Sequence, residues 1–230
     1  MVIAQPLTPK TLPLKITWEK LPDDFKLPDD PVDNVNQPAL AAALTDSLNQ
    51  AGLMPEMAFT MTNYGVCAAL NDQMVVQAPD WAYVIQTTVP RAEIERSYTP
   101  HLQGDVPAIV MEFLSETIGD EYSNKPTYPP GKWFFYETVL QVPYYALFEP
   151  SSGDIEVYHL KEDGRYTIQI MEENGLYWID SMQLFLGVWQ GDRENRTGYW
   201  LRWWDAQGQL LLWGIERAEK EAQRAEQEAQ

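Results

Sequence analysis

Cysteine and long apolar runs are scarce in this sequence. The 230 residues include a single cysteine, Cys67. One cysteine allows no intrachain disulfide and no cysteine-based metal site, which is typical of proteins from a reducing compartment. No stretch approaches the roughly 20 apolar residues of a membrane span, and the first ten residues do not resemble a signal peptide. We therefore expect a soluble, cytoplasmic protein that does not enter a membrane.

Positive charge is scarce as well. Sixteen Lys and Arg residues stand against 34 Asp and Glu, which gives a formal net charge of −18. Residues 37–214 hold 23 of the acidic and nine of the basic residues, so the acidity belongs to the folded part. Broad, non-specific nucleic-acid binding depends on many Lys and Arg side chains that displace counterions. The charge therefore argues against that class, but it leaves room for a local basic cleft or a metal-bridged phosphate.

Apolar and aromatic residues, in contrast, are plentiful. The chain is 45% hydrophobic and has nine Trp and twelve Tyr, which suits one globular domain with additions. We predict an extended N-terminal arm (1–34), an α/β domain with a mixed sheet flanked by helices (35–195), a Trp-rich β-hairpin (196–214) and a polar helical tail (215–230). The tail has no apolar stripe beyond Ile215, so we expect it to be dispensable for folding.

Local patterns predict the elements of the α/β domain. Leu40, Leu44 and Leu48 recur at i, i+4 and i+8, which indicates a helix with one buried face. Pro38 suits its first turn and Gly52 its end. Later in the chain, two Asp-Gly or Asn-Gly pairs at 163–164 and 174–175 indicate an antiparallel meander. In the hairpin, residues 197–204 and 209–213 are expected to pair across a turn at 205–208.

One apolar run, residues 107–115, contains a carboxylate. A short continuous apolar run predicts a strand buried on both faces, and Glu112 lies in its middle. An unpaired buried carboxylate costs on the order of several kcal/mol, so Glu112 should have a metal ion or a lysine beside it. The alternative is a half-solvated strand end or a structural pair with an arginine.

Two further residues complete a candidate site with Glu112. Asp80 follows Pro79 at the start of a predicted strand, and Lys132 begins a predicted helix over 132–141. Two carboxylates on adjacent strands, with the carbonyl of Phe113, can bind a hard cation such as Mg²⁺ or Mn²⁺. A lysine beside them can orient a metal-bound water, which suits phosphodiester hydrolysis. The alternative for Asp80 is a turn-former after proline.

These pieces, taken in order, resemble the Uma-type family of restriction endonucleases in the PD-(D/E)xK nuclease superfamily. The resemblance runs over about residues 35–190 and depends on Pro79-Asp80, on residues 110–115, on Lys132-x-x-x-Tyr136-Glu137 and on residues 142–150. Unlike many members, the chain has no histidine in residues 29–37.

The resemblance implies a restriction-endonuclease-like fold and a Mg²⁺- or Mn²⁺-dependent nuclease with DNA as its substrate. Asp80 and Glu112 would bind the metal with the Phe113 carbonyl, and Lys132 would be a catalytic lysine moved from the strand position now held by Leu114. Lys125 is the alternative lysine. A homodimer would suit an enzyme that cuts both strands of DNA. The alternative function is a catalytically inactive protein that binds a protein partner through its C-terminal helix, and a glycan-binding β-domain is a third.

Overall fold

The computed structural model describes residues 14–22, 25, 36–115 and 119–228. Its helices are α1 (Gln37–Gln50), α2, which begins at Lys132–Phe134 and continues as a π-helix over Phe135–Leu140, and α3 (Gly214–Glu228). In chain order, the strands are β1 (Ile16–Thr17), β2 (Phe59–Met61), β3 (Val66–Leu70), β4 (Gln73–Gln77), β5 (Trp81–Val84), β6 (Ile109–Phe113), β7 (Tyr144–Glu149), β8 (Asp154–Leu160), β9 (Tyr166–Ile168), β10 (Tyr177–Ile179), β11 (Leu184–Arg193) and β12 (Arg196–Trp204).

The central sheet has six strands in the order β2-β5-β6-β7-β8-β9. Strands β6 and β7 are parallel, and the other neighbouring pairs are antiparallel. Parallel neighbours require a crossover connection, and α2 lies in the connection between β6 and β7. The predicted α/β class with a mixed sheet is confirmed, and the arrangement is consistent with a restriction-endonuclease-like fold.

Helix α1 covers one face of this sheet. Its three predicted leucines, Leu40, Leu44 and Leu48, are at most 1% exposed and pack in one cluster with Met111 and Phe113 of β6. Because side chains alternate along a strand, Val110 points to the opposite face, where it packs against residues of α2. Strand β6 is therefore buried on both faces, as its apolar run predicted.

Two three-stranded sheets complete the fold. The first, in the order β1-β3-β4, includes the only strand found in the described part of the predicted N-terminal arm. The rest of that arm lies outside the described residues. The second sheet has the order β10-β11-β12.

The predicted C-terminal hairpin is present, but its strands differ from the expected ones. Strand β12 pairs with β11 over nine residue pairs, from Phe185–Trp204 to Arg193–Arg196. The turn at 205–208 forms, yet the segment after it joins β12 by one isolated bridge, Trp204–Leu210. The indole of Trp213 instead donates a hydrogen bond to the Ala43 carbonyl of α1. Tertiary packing on α1 therefore draws this segment away from β12.

Helix α3 is anchored at its first turn. Arg202 of β12 is fully buried and forms a two-point ion pair with Glu216, in which its Nη2 atom lies 2.6 Å from Oε2. The same carboxylate accepts the backbone N–H of Trp213. None of the described α3 residues is buried. In the part of the chain that the structure covers, no helix combines the length and apolar character that a membrane crossing requires.

Candidate active site

The pairing of β5 with β6 brings the two predicted carboxylates together. These strands are antiparallel, and Trp81 lies opposite Met111, so the next pair along the register is Asp80 and Glu112. The backbone N–H of Phe113 donates a hydrogen bond of 2.6 Å to Oδ2 of Asp80. Asp80 therefore sits at the junction of the two strands, beside the carboxylate that the sequence placed in the buried run.

Glu112 is 1% exposed, and both of its oxygens have donors. The Lys132 ammonium lies 2.9 Å from Oε2, and the Tyr136 hydroxyl donates a hydrogen bond of 3.0 Å to Oε1. Burial raises the pKa of Glu112 to about 8, the negative charge of Asp80 adds to this, and Lys132 and Tyr136 oppose it. A cation close to this buried carboxylate therefore has a strong effect on its ionisation.

Lys132 reaches Glu112 from the first residue of α2. Its side chain is 21% exposed, and its ammonium also lies 3.8 Å from Oε1 of Glu121. Burial acts to lower the pKa of Lys132, but the adjacent Glu112 carboxylate raises it above its ordinary value. The side chain therefore stays charged while part of it remains accessible to a substrate.

The connection before α2 places Lys132, and not Lys125, on the carboxylates. Lys125 is exposed, and its backbone carbonyl accepts the N–H of Gly131 in a local turn. The Gln77 side chain donates a hydrogen bond to the Pro130 carbonyl, which holds the end of this connection against β4 of the β1-β3-β4 sheet. The structure thus favours Lys132 of the two candidate lysines, whose roles stay predictions.

The carbonyl of Phe113 was predicted to complete a metal site. In the structure this oxygen accepts a hydrogen bond of 2.8 Å from Nε2 of Gln37, the first residue of α1. A carbonyl oxygen has two lone pairs, so this contact leaves one position for a further partner. Gln37 has no local sequence signal that could have assigned it to the site, because only the docking of α1 on β6 brings it there.

The donors at this site suit a hard divalent cation. Among the described residues, no three His, Cys, Asp or Glu side chains are grouped so that they could hold a metal ion. A cation here would therefore depend on Asp80, Glu112, the Phe113 carbonyl and oxygens of water or substrate. Mg²⁺ commonly binds with one or two carboxylates and keeps several waters, so the oxygen donors that are present fit Mg²⁺ or Mn²⁺.

Glu137, adjacent to Tyr136 in the quoted motif, has a different environment. It is 3% exposed and accepts hydrogen bonds from the Tyr166 backbone N–H, the Trp133 indole and Arg165 Nη1. These contacts join α2 to β9. We interpret Glu137 as a residue that fixes α2, and thereby Lys132 at its start, against the sheet.

Comparison with known proteins identifies the family of this chain. The model of the Uma2 family, described as a putative restriction endonuclease, matches residues 30–191. Among curated proteins, no relative matched the chain. The family match spans most of the chain and includes all three predicted site side chains, Asp80, Glu112 and Lys132. The chain therefore belongs to the Uma2 family of restriction-endonuclease-like proteins.

Proposed function

We propose that this protein is a metal-dependent endodeoxyribonuclease that hydrolyses phosphodiester bonds of DNA with Mg²⁺ or Mn²⁺. The observation that supports this most directly is the contact of 2.9 Å between Lys132 Nζ and Glu112 Oε2, with Asp80 beside them. A buried carboxylate and a half-buried one, beside a partly exposed lysine, suit metal-assisted phosphodiester hydrolysis. The family match supports a nuclease in general.

Each residue has a distinct role in this proposal. Asp80, Glu112 and the Phe113 carbonyl would hold the metal, which when bound supplies positive charge to the phosphate and lowers the pKa of a bound water. Lys132 orients the attacking water and stabilises the negative charge that develops on the phosphate. Its partial exposure of 21% gives the ammonium access to both. We place this activity in the cytoplasm.

Cleavage of supercoiled plasmid and of labelled oligonucleotides, with Mg²⁺, Mn²⁺ or EDTA, tests the proposal. We expect cleavage with either metal and none with EDTA. The Asp80→Asn and Glu112→Gln variants should lose it, whereas a matched change at an exposed carboxylate, Glu173→Gln, should not. Cleavage by Asp80→Asn and Glu112→Gln at the parent rate would show that the site is assigned wrongly. Sedimentation with and without DNA tests the homodimer.

A second candidate function, protein binding through α3, is favoured by the exposed face of this helix. Beyond its first turn the helix is exposed, and Ile215 is 62% exposed. The apolar positions recur three and four residues apart, which places them on one face: Ile215, Ala218, Ala222 and Ala225. The positions beside that face are acidic: Glu219, Glu221, Glu226 and Glu228.

Acidic flanks on both sides repel a second copy of the same helix and favour a partner helix with Lys or Arg at the facing positions. The probe is a synthetic basic heptad peptide, titrated into the full chain and into a chain truncated after Arg217. Binding that the truncation removes supports the role. Equal binding to both chains, or no binding, excludes it.

A further inference from the structure

The two oxygens of Glu112 have partners of different exposure. Oε1 accepts from the hydroxyl of Tyr136, which is 0% exposed and whose ring packs 5.2 Å from the ring of Tyr145. Oε2 contacts Lys132, which is 21% exposed and lies on the accessible side. Packing fixes the tyrosine contact, whereas the lysine can exchange its carboxylate for another anion. Oε2 is therefore the oxygen that can become free for a cation.

The carbonyl of Phe113 has a similar arrangement. One of its two lone pairs is occupied by Nε2 of Gln37, at 2.8 Å. The backbone N–H of Phe113 donates a hydrogen bond to Oδ2 of Asp80. The peptide units around Phe113 are thus fixed from α1 and from the strand junction, with one carbonyl lone pair left for a further partner.

We infer that Tyr136 and Gln37 are positioning residues for the metal ligands, an inference that rests on the proposed metal site. Tyr136 fixes the orientation of the Glu112 carboxylate so that Oε2 is presented, and Gln37 fixes the direction of the Phe113 carbonyl. Neither residue touches the metal or the substrate. Both belong to helices that pack on opposite faces of β6, so the packing of α1 and α2 is transmitted to the ligands on one strand.

Loss of either donor should weaken metal binding more than it weakens the fold. Removal of groups that orient metal ligands typically costs about 10–100-fold in metal affinity. We expect the affinity of Tyr136→Phe for Mn²⁺ to fall by about 10-fold or more, because the carboxylate can then rotate. The affinity of Gln37→Leu should fall in the same direction but by less, since a backbone carbonyl has less freedom than a side chain.

The test is a titration of the full chain with Mn²⁺, followed by electron paramagnetic resonance, without DNA. Tyr145→Phe is the matched control for Tyr136→Phe: Tyr145 is also fully buried, but its hydroxyl donates to the Glu121 backbone carbonyl. Gln77→Leu is the control for Gln37→Leu, because its amide donates to the carbonyl of Pro130. Melting temperatures of all four variants identify any that fail to fold.

The outcomes separate this inference from the proposed function. Weaker Mn²⁺ binding in Tyr136→Phe and Gln37→Leu, with the two controls at the parent affinity, supports the inference. Equal losses in each variant and its control, or no loss, overturn it while the metal site stands. Should the parent chain bind no Mn²⁺, the metal site and the positioning roles are both wrong. Should it bind Mn²⁺ without cleaving DNA, the proposed function alone fails.

Discussion

The Lys132 ammonium lies 2.9 Å from Oε2 of Glu112, a contact that joins the start of α2 to the middle of the central sheet. A lysine at a helix N-terminus faces the positive end of the helix dipole, which is unfavourable for a cation. Glu112, with Asp80 and Glu121 nearby, offsets that cost. The contacts with these carboxylates therefore explain the position of Lys132, and the helix dipole does not.

Lys132→Met should abolish cleavage. The ammonium is the cation that the proposal assigns to the attacking water and the phosphate, and loss of one such group commonly lowers kcat by about 10²–10³-fold. Mg²⁺ binding should persist, because lysine is not a ligand. Single-turnover cleavage together with calorimetric Mg²⁺ titration would measure both effects.

Lys125→Met is the matched control, since Lys125 is exposed and lies in the same connection. It should cleave at the parent rate. An inactive Lys125→Met beside an active Lys132→Met would show that Lys125, and not Lys132, has the catalytic role. The assignment of the two carboxylates would still stand.

Glu112 should make the metal-free protein less stable as the pH rises. Its folded-state pKa of about 8 lies above the ordinary value of 4.5, so the folded protein retains a proton that the unfolded chain has lost. The stabilising effect is complete below about pH 4.5 and is lost as the pH rises through about 8. Within that window the free energy of unfolding should fall by on the order of 1 kcal/mol per pH unit.

Urea unfolding of the parent and of Glu112→Gln, from pH 5 to pH 9 in EDTA, would measure this slope. Glutamine cannot titrate, so the free energy of unfolding of the variant should depend less steeply on pH. With saturating Mg²⁺ in place of EDTA, the slope of the parent should become as flat as that of the variant only if the cation replaces the proton. Parallel profiles for the two proteins would mean that Glu112 does not titrate in this range.

The sequence indicated much of the site because the signals there are local. A carboxylate inside the apolar run of β6 required a partner, and a lysine at the start of α2 supplied one. Tyr136 lies four residues after Lys132, on the same helix face, so its contact with Glu112 could have been anticipated. Gln37 could not, because nothing near it in the chain refers to the strand it reaches.

The pairing of the C-terminal strands was predicted less well, again because the contacts that decide it are not local in the sequence. Strand β11 contains Gly187 and Gly191, which weaken a strand pattern. In the structure, an added Cβ at Gly191 would meet the Trp189 indole, and one at Gly187 would meet the Leu176 side chain. These glycines make room for neighbouring side chains to lie on the strand. Only the packed structure shows this role of the glycines. The sequence therefore predicted a hairpin around the turn at 205–208 and missed the pairing of β11 with β12.

Cys67 should be unreactive in the folded protein. The side chain is 0% exposed, and burial raises the pKa of its thiol to about 11, so little of the reactive thiolate forms at neutral pH. We expect no reaction with a thiol reagent such as Ellman's reagent at pH 8 until denaturant unfolds the chain. Fast labelling of the native protein, at the rate of the unfolded one, would contradict the burial of β3.

Glu216, and not the whole of α3, should be required for stability. The sequence suggested that the whole tail is dispensable for folding, but its first turn provides the carboxylate for Arg202, which is fully buried with its guanidinium 3.4 Å over the Trp213 ring. Removal of one partner of a buried pair leaves an uncompensated charge and costs about 3–5 kcal/mol. Glu216 is 26% exposed, so solvent should bring the loss towards the lower end of that range.

Two truncations, compared by thermal and urea unfolding, separate the anchor from the rest of the helix. A chain that ends after Gly214 lacks Glu216 and should melt well below the parent, as should the full-length Glu216→Gln variant. A chain that ends after Arg217 keeps the ion pair, and since residues 218–228 are exposed, its melting temperature should stay close to that of the parent. If both truncations melt together, either the Arg202–Glu216 pair contributes little or the exposed part of α3 packs against something in solution, and the Glu216→Gln variant decides between these two explanations.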